Sequence, residues 1–339
     1  MLKVGIVGFG FMGRMHYACW RRLGDAQIVA VCDVNPAVFE KGAAGAGNIQ
    51  GAADDVDFAG VEVYSDFEKM LSSANLDAVS IALPTFLHAD FSIKVLEAGV
   101  NVLCEKPMAL NTAECDRMIE TARRSGKVLQ IGHCLRFWPE YAEARRILTG
   151  GAYGTVIAAT FQRLCARPQW AWDGWALDER RSGGMLLDLH IHDTDFVQHI
   201  FGMPRAVCSF AAGESGREPT HVVTHYLYGD EKTVTAEGSW AAMPSFGFEM
   251  SFNILLERAS LVYDCTREPA LRVCPAEGEA FEPDLPDEDG YFYEIEHFSK
   301  KVKGESVREV ISLQESRNSV RIVEAEKESA AASREITLE

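Results

Sequence analysis

No two of the nine cysteines form a CxxC pair, and none joins a metal-like cluster of ligands. Cys19, Cys32, Cys104, Cys134, Cys208 and Cys274 sit mostly within apolar runs, where a free thiol behaves as a small hydrophobe. An odd, scattered set fits a reducing compartment better than a disulfide framework. Excess positive charge is also missing: 33 Lys and Arg stand against 50 Asp and Glu, a formal charge of -17. That excludes a sequence-independent hold on nucleic acid and docking on an anionic membrane surface. A small anionic ligand remains open, because a local basic pocket can sit in an acidic protein. No stretch approaches the roughly 20 apolar residues that span a bilayer. The first residues, Met1 to Gly8, enter a strand pattern at once with no charged leader or cleavage site, so a cytoplasmic protein is expected. Internal repeats are lacking too.

What is present is a globular composition, 47% hydrophobic and 24% charged, on a chain of 339 residues that is too long for one comfortable core. Over residues 1–132 short Val- and Ile-rich runs alternate with helix-like stretches. The runs are Leu2 to Val7, Ile28 to Asp33, Ala78 to Leu83, Val100 to Cys104 and Val128 to Ile131. The helix-like stretches are Gly13 to Leu23, His88 to Ala98 and Thr112 to Ser125, the last with Asn111 or Thr112 as its cap. Alternation of this kind predicts a doubly wound parallel α/β sheet, a Rossmann domain. From residue 133 to 339 the rhythm changes. Helix-like stretches at Pro139 to Leu148 and Leu186 to Phe201 precede consecutive strand-like runs between Ala206 and Tyr263. Closing helices follow at Tyr291 to Val302 and Leu313 to Ala332, so an α+β domain with a large, open, mostly antiparallel sheet is expected.

Gly8-Phe9-Gly10-Phe11-Met12-Gly13 is a GxGxxG motif that leaves a strand and opens a helix, and Asp33 stands twenty positions beyond Gly13. This is the full context of a dinucleotide fingerprint. Gly8 permits the tight turn, Gly10 lets the backbone approach a pyrophosphate, and Gly13 permits close packing of helix on strand. Asp33 is placed to accept hydrogen bonds from the adenosine ribose and to repel a 2′-phosphate, so NAD is favoured over NADP. Ligands of such sheets bind outside the carboxyl ends of the strands. That puts Pro84, Thr85 and His88 after one strand, and Glu105 and Lys106 after the next, among the cofactor contacts. A lysine there reaches a desolvated crevice, where its proton becomes exchangeable; a solvated lysine at a strand exit is the plain alternative.

In Gly183 to Asp195, helical spacing aligns Asp188, His192, Asp195 and His199 on one face. His192 is a suitable general base for a hydroxyl proton, and Asp188, one turn earlier, could orient it or the substrate. Were the segment extended, Asp188, His190, His192, Asp193 and Asp195 could instead ligate a metal, as in a metal-dependent hydrolase or isomerase. The leucines and the Gly-Gly before them favour the helix, and no metal is expected. Arg136 and Arg163 suit a carboxylate or several hydroxyls. Trp172, within the Trp170, Trp172, Trp175 cluster, suits the C–H face of a sugar or anchors a loop or subunit contact.

These residues together resemble the glucose–fructose oxidoreductase, inositol dehydrogenase and MocA family, through GFGFMG, CDVNP, PTFLH, EKP, GHCLRFWPEY, SGGMLLDLHIHDTDF and EGSW in order. The resemblance implies a catalytic group of Lys106, Asp188 and His192. It implies hydride transfer between nicotinamide and a carbon bearing a hydroxyl, in a sugar, inositol or related polyol. His192 would be the general acid/base, Lys106 would polarise the reacting oxygen and hold nicotinamide, and Asp188 would orient substrate and His192. It also implies a homodimer or homotetramer assembled through the C-terminal sheet. His190 stands where many relatives carry glycine and leaves the choice of base open. Transient oxidation driving glycosidic cleavage or epimerisation is the competing chemistry, and a non-catalytic nucleotide sensor is a third.

Overall fold

A computed structural model describes residues 1–40, 56–214 and 218–338. In chain order the elements begin β1 (Leu2–Val7), α1 (Phe11–Arg22), β2 (Ala26–Cys32), β3 (Glu62–Tyr64), α2 (Phe67–Ser73), β4 (Ala78–Ile81), α3 (His88–Glu97), β5 (Asn101–Glu105), α4 (Thr112–Ser125) and β6 (Leu129–Gly132). They continue with α5 (Pro139–Gly150), β7 (Val156–Cys165), α6 (Glu179–Ser182), a π-helical turn over Leu186–His190 that runs on into α7 (Ile191–Phe201), β8 (Ala206–Ala212), β9 (His221–Leu227) and β10 (Thr233–Ser239). The last are β11 (Phe248–Leu256), β12 (Ala259–Asp264), β13 (Leu271–Pro275), α8 (Gly290–Val302), α9 (Leu313–Ala332) and β14 (Ile336–Thr337).

The first compact unit comprises residues 1–134, 170–175 and 289–317. Its six parallel strands lie in the order β3-β2-β1-β4-β5-β6. The chain winds outward from β1 to β3, then crosses to β4 on the other side, which opens a crevice past the carboxyl ends of β1 and β4. All four residues of β4 and of β6 are buried, including the polar Ser80 and Gln130, as strands inside a doubly wound sheet require. Helix α4 starts where Asn111 Oδ1 accepts from the Glu114 N–H at 3.0 Å, and ends on the left-handed Gly126. The strand β3 and helix α2 carry no clear sequence pattern. β3 is three residues long and two of them are exposed, so an edge position, not a hydrophobic run, accounts for it.

Helix α8 belongs to this first unit although it lies late in the chain. Gln130 of β6 donates from Nε2 to the Glu294 carbonyl at 3.1 Å, and His297 Nδ1 meets Gln130 Oε1 at 2.9 Å. Phe298 packs edge-on to Trp20 of α1, ring centroids 6.2 Å apart. The late residues 289–317 are therefore grouped with the first sheet and not with the strands that precede them in the chain.

The second unit comprises residues 135–169, 176–288 and 318–339. Its sheet has eight strands in the order β13-β12-β11-β7-β10-β9-β8-β14. Among the described residues the β7–β10 pair is parallel and the other pairings are antiparallel, as expected. Strand β9 alternates buried and half-buried positions, the mark of a sheet with one face in the core. That core centres on Tyr141, whose ring lies 4.8 Å from Phe196, 5.1 Å from Phe252 and 5.2 Å from Tyr263. The near-perpendicular ring planes favour such a cluster beyond its buried area.

Candidate active site

The glycine turn is fixed by contacts that a side chain would destroy. Gly8 has φ +84°, and a Cβ there would lie 2.3 Å from the Ala82 carbonyl oxygen. A Cβ on Gly13 would lie 2.0 Å from the Gly8 carbonyl oxygen, so helix α1 can sit on the turn only with glycine at that position. Gly10, by contrast, has nothing within 4 Å of where its Cβ would be, which leaves the backbone approachable. Helix α1 has no side-chain cap and no acidic residue in its first turn. Its first N–H groups and its positive end are thus available to a phosphate. The ring of Phe9 is fully buried against Phe39 and Phe58, so this residue contributes backbone, not side chain.

Asp33, just past β2, holds the turn from below. Its Oδ2 accepts from the Phe9 N–H at 2.7 Å and its Oδ1 from the Asn35 N–H at 2.8 Å. A carboxylate has about four acceptor sites, so lone pairs remain for ribose hydroxyls. The cradle therefore fits a dinucleotide, with the turn against the pyrophosphate and Asp33 against the ribose.

Lys106 follows β5 immediately and is partly exposed, and its peptide bond to Pro107 is cis. Beside it, His88 is buried and contacts two carbonyl oxygens, Pro107 through Nδ1 and Leu83 through Nε2, each at 2.8 Å. Burial holds its pKa below the usual histidine value even though both carbonyls favour the cation. His88 thus ties the segment after β4 to the segment after β5. Thr85 is likewise buried, and Pro84 is half-buried.

In the second unit the segment around Asp188 is helical, so the extended geometry that a His-x-His metal site requires is not formed. From Ser182 to Gln198 every residue is buried except Asp188 and His192. These two stand four apart, one on the π-turn and the other on the first turn of α7. A π-turn shifts the phase of a helix, and such turns recur at functional sites. His190 goes the other way: it is fully buried, its Nε2 3.4 Å from the Tyr226 hydroxyl and 3.6 Å from Glu326 Oε1.

The remaining polar residues of α7 are anchored inside the unit. Arg136 donates from Nε and Nη2 to the two oxygens of Asp195, both at 2.8 Å, and Ser319 Oγ adds a 2.7 Å bond to Asp195 Oδ1. Arg163 pairs in the same way with Asp193, at 2.8 and 3.3 Å. Both arginines are about 3% exposed. The structure thus places Arg136 and Arg163, expected at the substrate, in buried ion pairs that hold α7. Of the expected polar face, Asp188, His192 and His199 are half-buried, with His199 Nδ1 2.9 Å from Arg136 Nη1, while Asp195 turns inward. Trp172 is 53% exposed, and neighbouring Trp170 packs against Phe11 with centroids 6.2 Å apart.

Sequence reasoning passed over His16 and Glu294. His16, fully buried, meets Glu105 Oε1 through Nε2 at 2.8 Å, and Glu294 of α8 lies beside them. A signal existed for His16. It shares the buried stripe of α1 with Gly13 and Trp20, where a polar residue calls for a buried partner. Nothing local marks Glu294.

Residues 2–133 match the oxidoreductase family with an NAD-binding Rossmann fold, and residues 141–262 match the C-terminal domain of that family, GFO/IDH/MocA. The chain belongs to the GFO/IDH/MocA oxidoreductase family. It is similar to 2,7-anhydro-N-acetylneuraminate hydratase of Mediterraneibacter gnavus, 32% identical over 60% of this chain and 50% of that one. Inositol 2-dehydrogenase 4 of Saccharopolyspora erythraea is 36% identical over 59% of this chain and 54% of its own. These matches span about half the length of each relative. Levoglucosan dehydrogenase, solved with NADH and levoglucosan, shares the fold with a TM-score of 0.82 and 21% identity over 99% of both chains.

Proposed function

We propose that this protein is an NAD-dependent oxidoreductase that moves a hydride between nicotinamide and a hydroxyl-bearing carbon of a sugar, inositol or related polyol. The observation that carries the reading is the pair Asp188 and His192, the two open positions in an otherwise buried helical run. Gly8 to Gly13 and Asp33 would hold the dinucleotide, which supplies the hydride chemistry when bound.

The protein's own residues then manage charge and protons. His192 takes the hydroxyl proton during oxidation and returns it during reduction, since an imidazole titrates near neutral pH. Lys106 stabilises charge on the reacting oxygen. Asp188, one turn before His192, orients the imidazole and a substrate hydroxyl. Buried His190 is left out of the proton path, and Arg136 and Arg163 serve as framework. Trp172 is assigned to the substrate's apolar face. No helix among the described residues is long and apolar enough to cross a membrane. All nine cysteines are free, which supports a reducing cytoplasmic setting. The family resemblance supports a homodimer or homotetramer through the C-terminal, eight-stranded sheet.

The test is nicotinamide absorbance on purified protein with NAD or NADP against inositols, aldoses, sugar acids and polyols. NADH formed with one class and abolished by Lys106→Ala is the expected result. The similarity to a hydratase supports a second reading, in which oxidation is transient and NAD is regenerated. Tight NAD binding, no net NADH from any candidate and substrate consumption nonetheless would favour it.

A further inference from the structure

Behind Lys106 the first unit buries three ionisable side chains together. One ligand atom from each of His16, Glu105 and Glu294 lies within 4.8 Å of the others, and all three residues are buried. His16 and Glu105 are directly bonded at 2.8 Å. Glu294 differs: among the described residues neither of its carboxyl oxygens has a hydrogen-bond partner, and its exposure is 0%. Gly132, opposite Glu105 in the β5–β6 register, makes this approach possible, because a Cβ there would lie 3.2 Å from Glu294 Oε1.

Two occupants could satisfy such a cluster. A tetrahedral metal with bonds of about 2.0–2.2 Å holds its ligand atoms roughly 3.3 Å apart. The direct 2.8 Å contact of His16 with Glu105 is instead a hydrogen-bond length. What remains is a carboxyl within 4.8 Å of a hydrogen-bonded pair, a reach that one water can span between polar partners. A carboxylate there would be a second buried negative charge beside Glu105, which is costly, whereas the acid form brings its own donor.

We propose, on the footing of the function above, that Glu294 is a positioning residue held as the neutral acid. Joined to Glu105 and His16 through one buried water, its carboxyl fixes the strand exit that presents Lys106. The surroundings agree. Burial, then the charges of Glu105 and Asp289, push the Glu294 carboxyl well above its usual range. Burial would also raise Glu105, but the His16 hydrogen bond and the charges of His16, Lys106 and His88 outweigh it and hold Glu105 low. Facing the cluster are also Cys19 from α1 and Tyr291 from α8, both raised chiefly by burial.

The sign follows. A carboxyl raised in the folded state gives stability that is full below its unfolded value and is lost as pH rises toward the folded value. Glu294→Gln removes that slope while keeping a neutral donor. Thermal unfolding of wild type and Glu294→Gln above about pH 5 should show the variant gaining on wild type as pH rises, by up to about 2 °C per pH unit. Infrared spectra at neutral pH should show a protonated-carboxyl band in wild type that the variant lacks. NADH affinity should change less than about twofold in Glu294→Gln and fall about tenfold in Glu294→Ala, the scale of one buried polar group left unmatched.

Parallel pH curves with no protonated-carboxyl band would overturn the proposal, as would stoichiometric metal in the purified protein that Glu294→Gln loses. Equal NADH affinity in all three proteins would overturn the positioning role even with the band present. None of these readouts needs a substrate, so a failure in the substrate panel is distinguishable from a failure here.

Discussion

The glycine turn of the first unit and the helix Leu186–Phe201 of the second are built on opposite plans. The turn is made of backbone: Gly8 and Gly13 leave no room for a Cβ, and one side chain, Asp33, braces it by accepting two main-chain N–H groups. The helix is made of side chains: two buried arginine–carboxylate pairs fix its orientation, and between Ser182 and Gln198 they leave Asp188 and His192 as the positions that are not buried. A backbone site tolerates little change but needs few distant partners. A side-chain site depends on residues tens to more than a hundred positions away, such as Ser319 on Asp195.

The largest effect should come from the open helix positions. His192→Ala is expected to lower turnover by about 10²–10⁴-fold, the scale of a lost general acid/base, with NAD affinity unchanged by titration. Unaltered turnover would move the base elsewhere. Next comes the frame that holds them. Asp195→Ala leaves the Arg136 cation buried and unpaired, which should cost about 3–5 kcal/mol in denaturant unfolding. Arg136→Met combined with Asp195→Leu should cost clearly less than that single change, because no orphan charge remains. If the double variant is as unstable as the single one, the ion pair itself is needed and not merely its neutrality.

On the backbone side, Asp33→Asn should weaken NAD binding about tenfold or more, the scale of a charged hydrogen bond, and narrow the preference over NADP. Calorimetry with both nucleotides would measure it, and a preserved preference would take the choice away from Asp33. The smallest change is expected at Trp172, whose ring is exposed. Trp172→Ala should leave stability within about 0.5 kcal/mol and act on KM instead of kcat. A collapse in stability would make the ring an anchor, not a substrate contact.

The two plans also explain how legible each site is in the sequence. The turn at Gly8, Gly10 and Gly13 and the place of Asp33 after β2 could be read from the sequence, since their spacing and flanking strand and helix are local. That Asp188 and His192 stand one helical turn apart was legible from the spacing. The same spacing added Asp195 and His199 to one face, but the ion pair to Arg136 draws Asp195 inside. Arg136 and Arg163 look like ligand-binding cations when only their neighbours in sequence are visible. Their carboxylate partners, 59 and 30 positions away, appear only in the fold.

By itself, the sequence determined the parallel sheet, the dinucleotide turn and the mainly antiparallel second sheet, because apolar periodicity and glycine sterics act over a few residues. Only the tertiary structure decided that α8 packs with the first sheet and that Glu294 lies beside Glu105. Tertiary structure alone also decided that His190 and the arginines are inside while His192 is not. Burial is a property of what surrounds a residue, and those surroundings come from parts of the chain that no local pattern brings together.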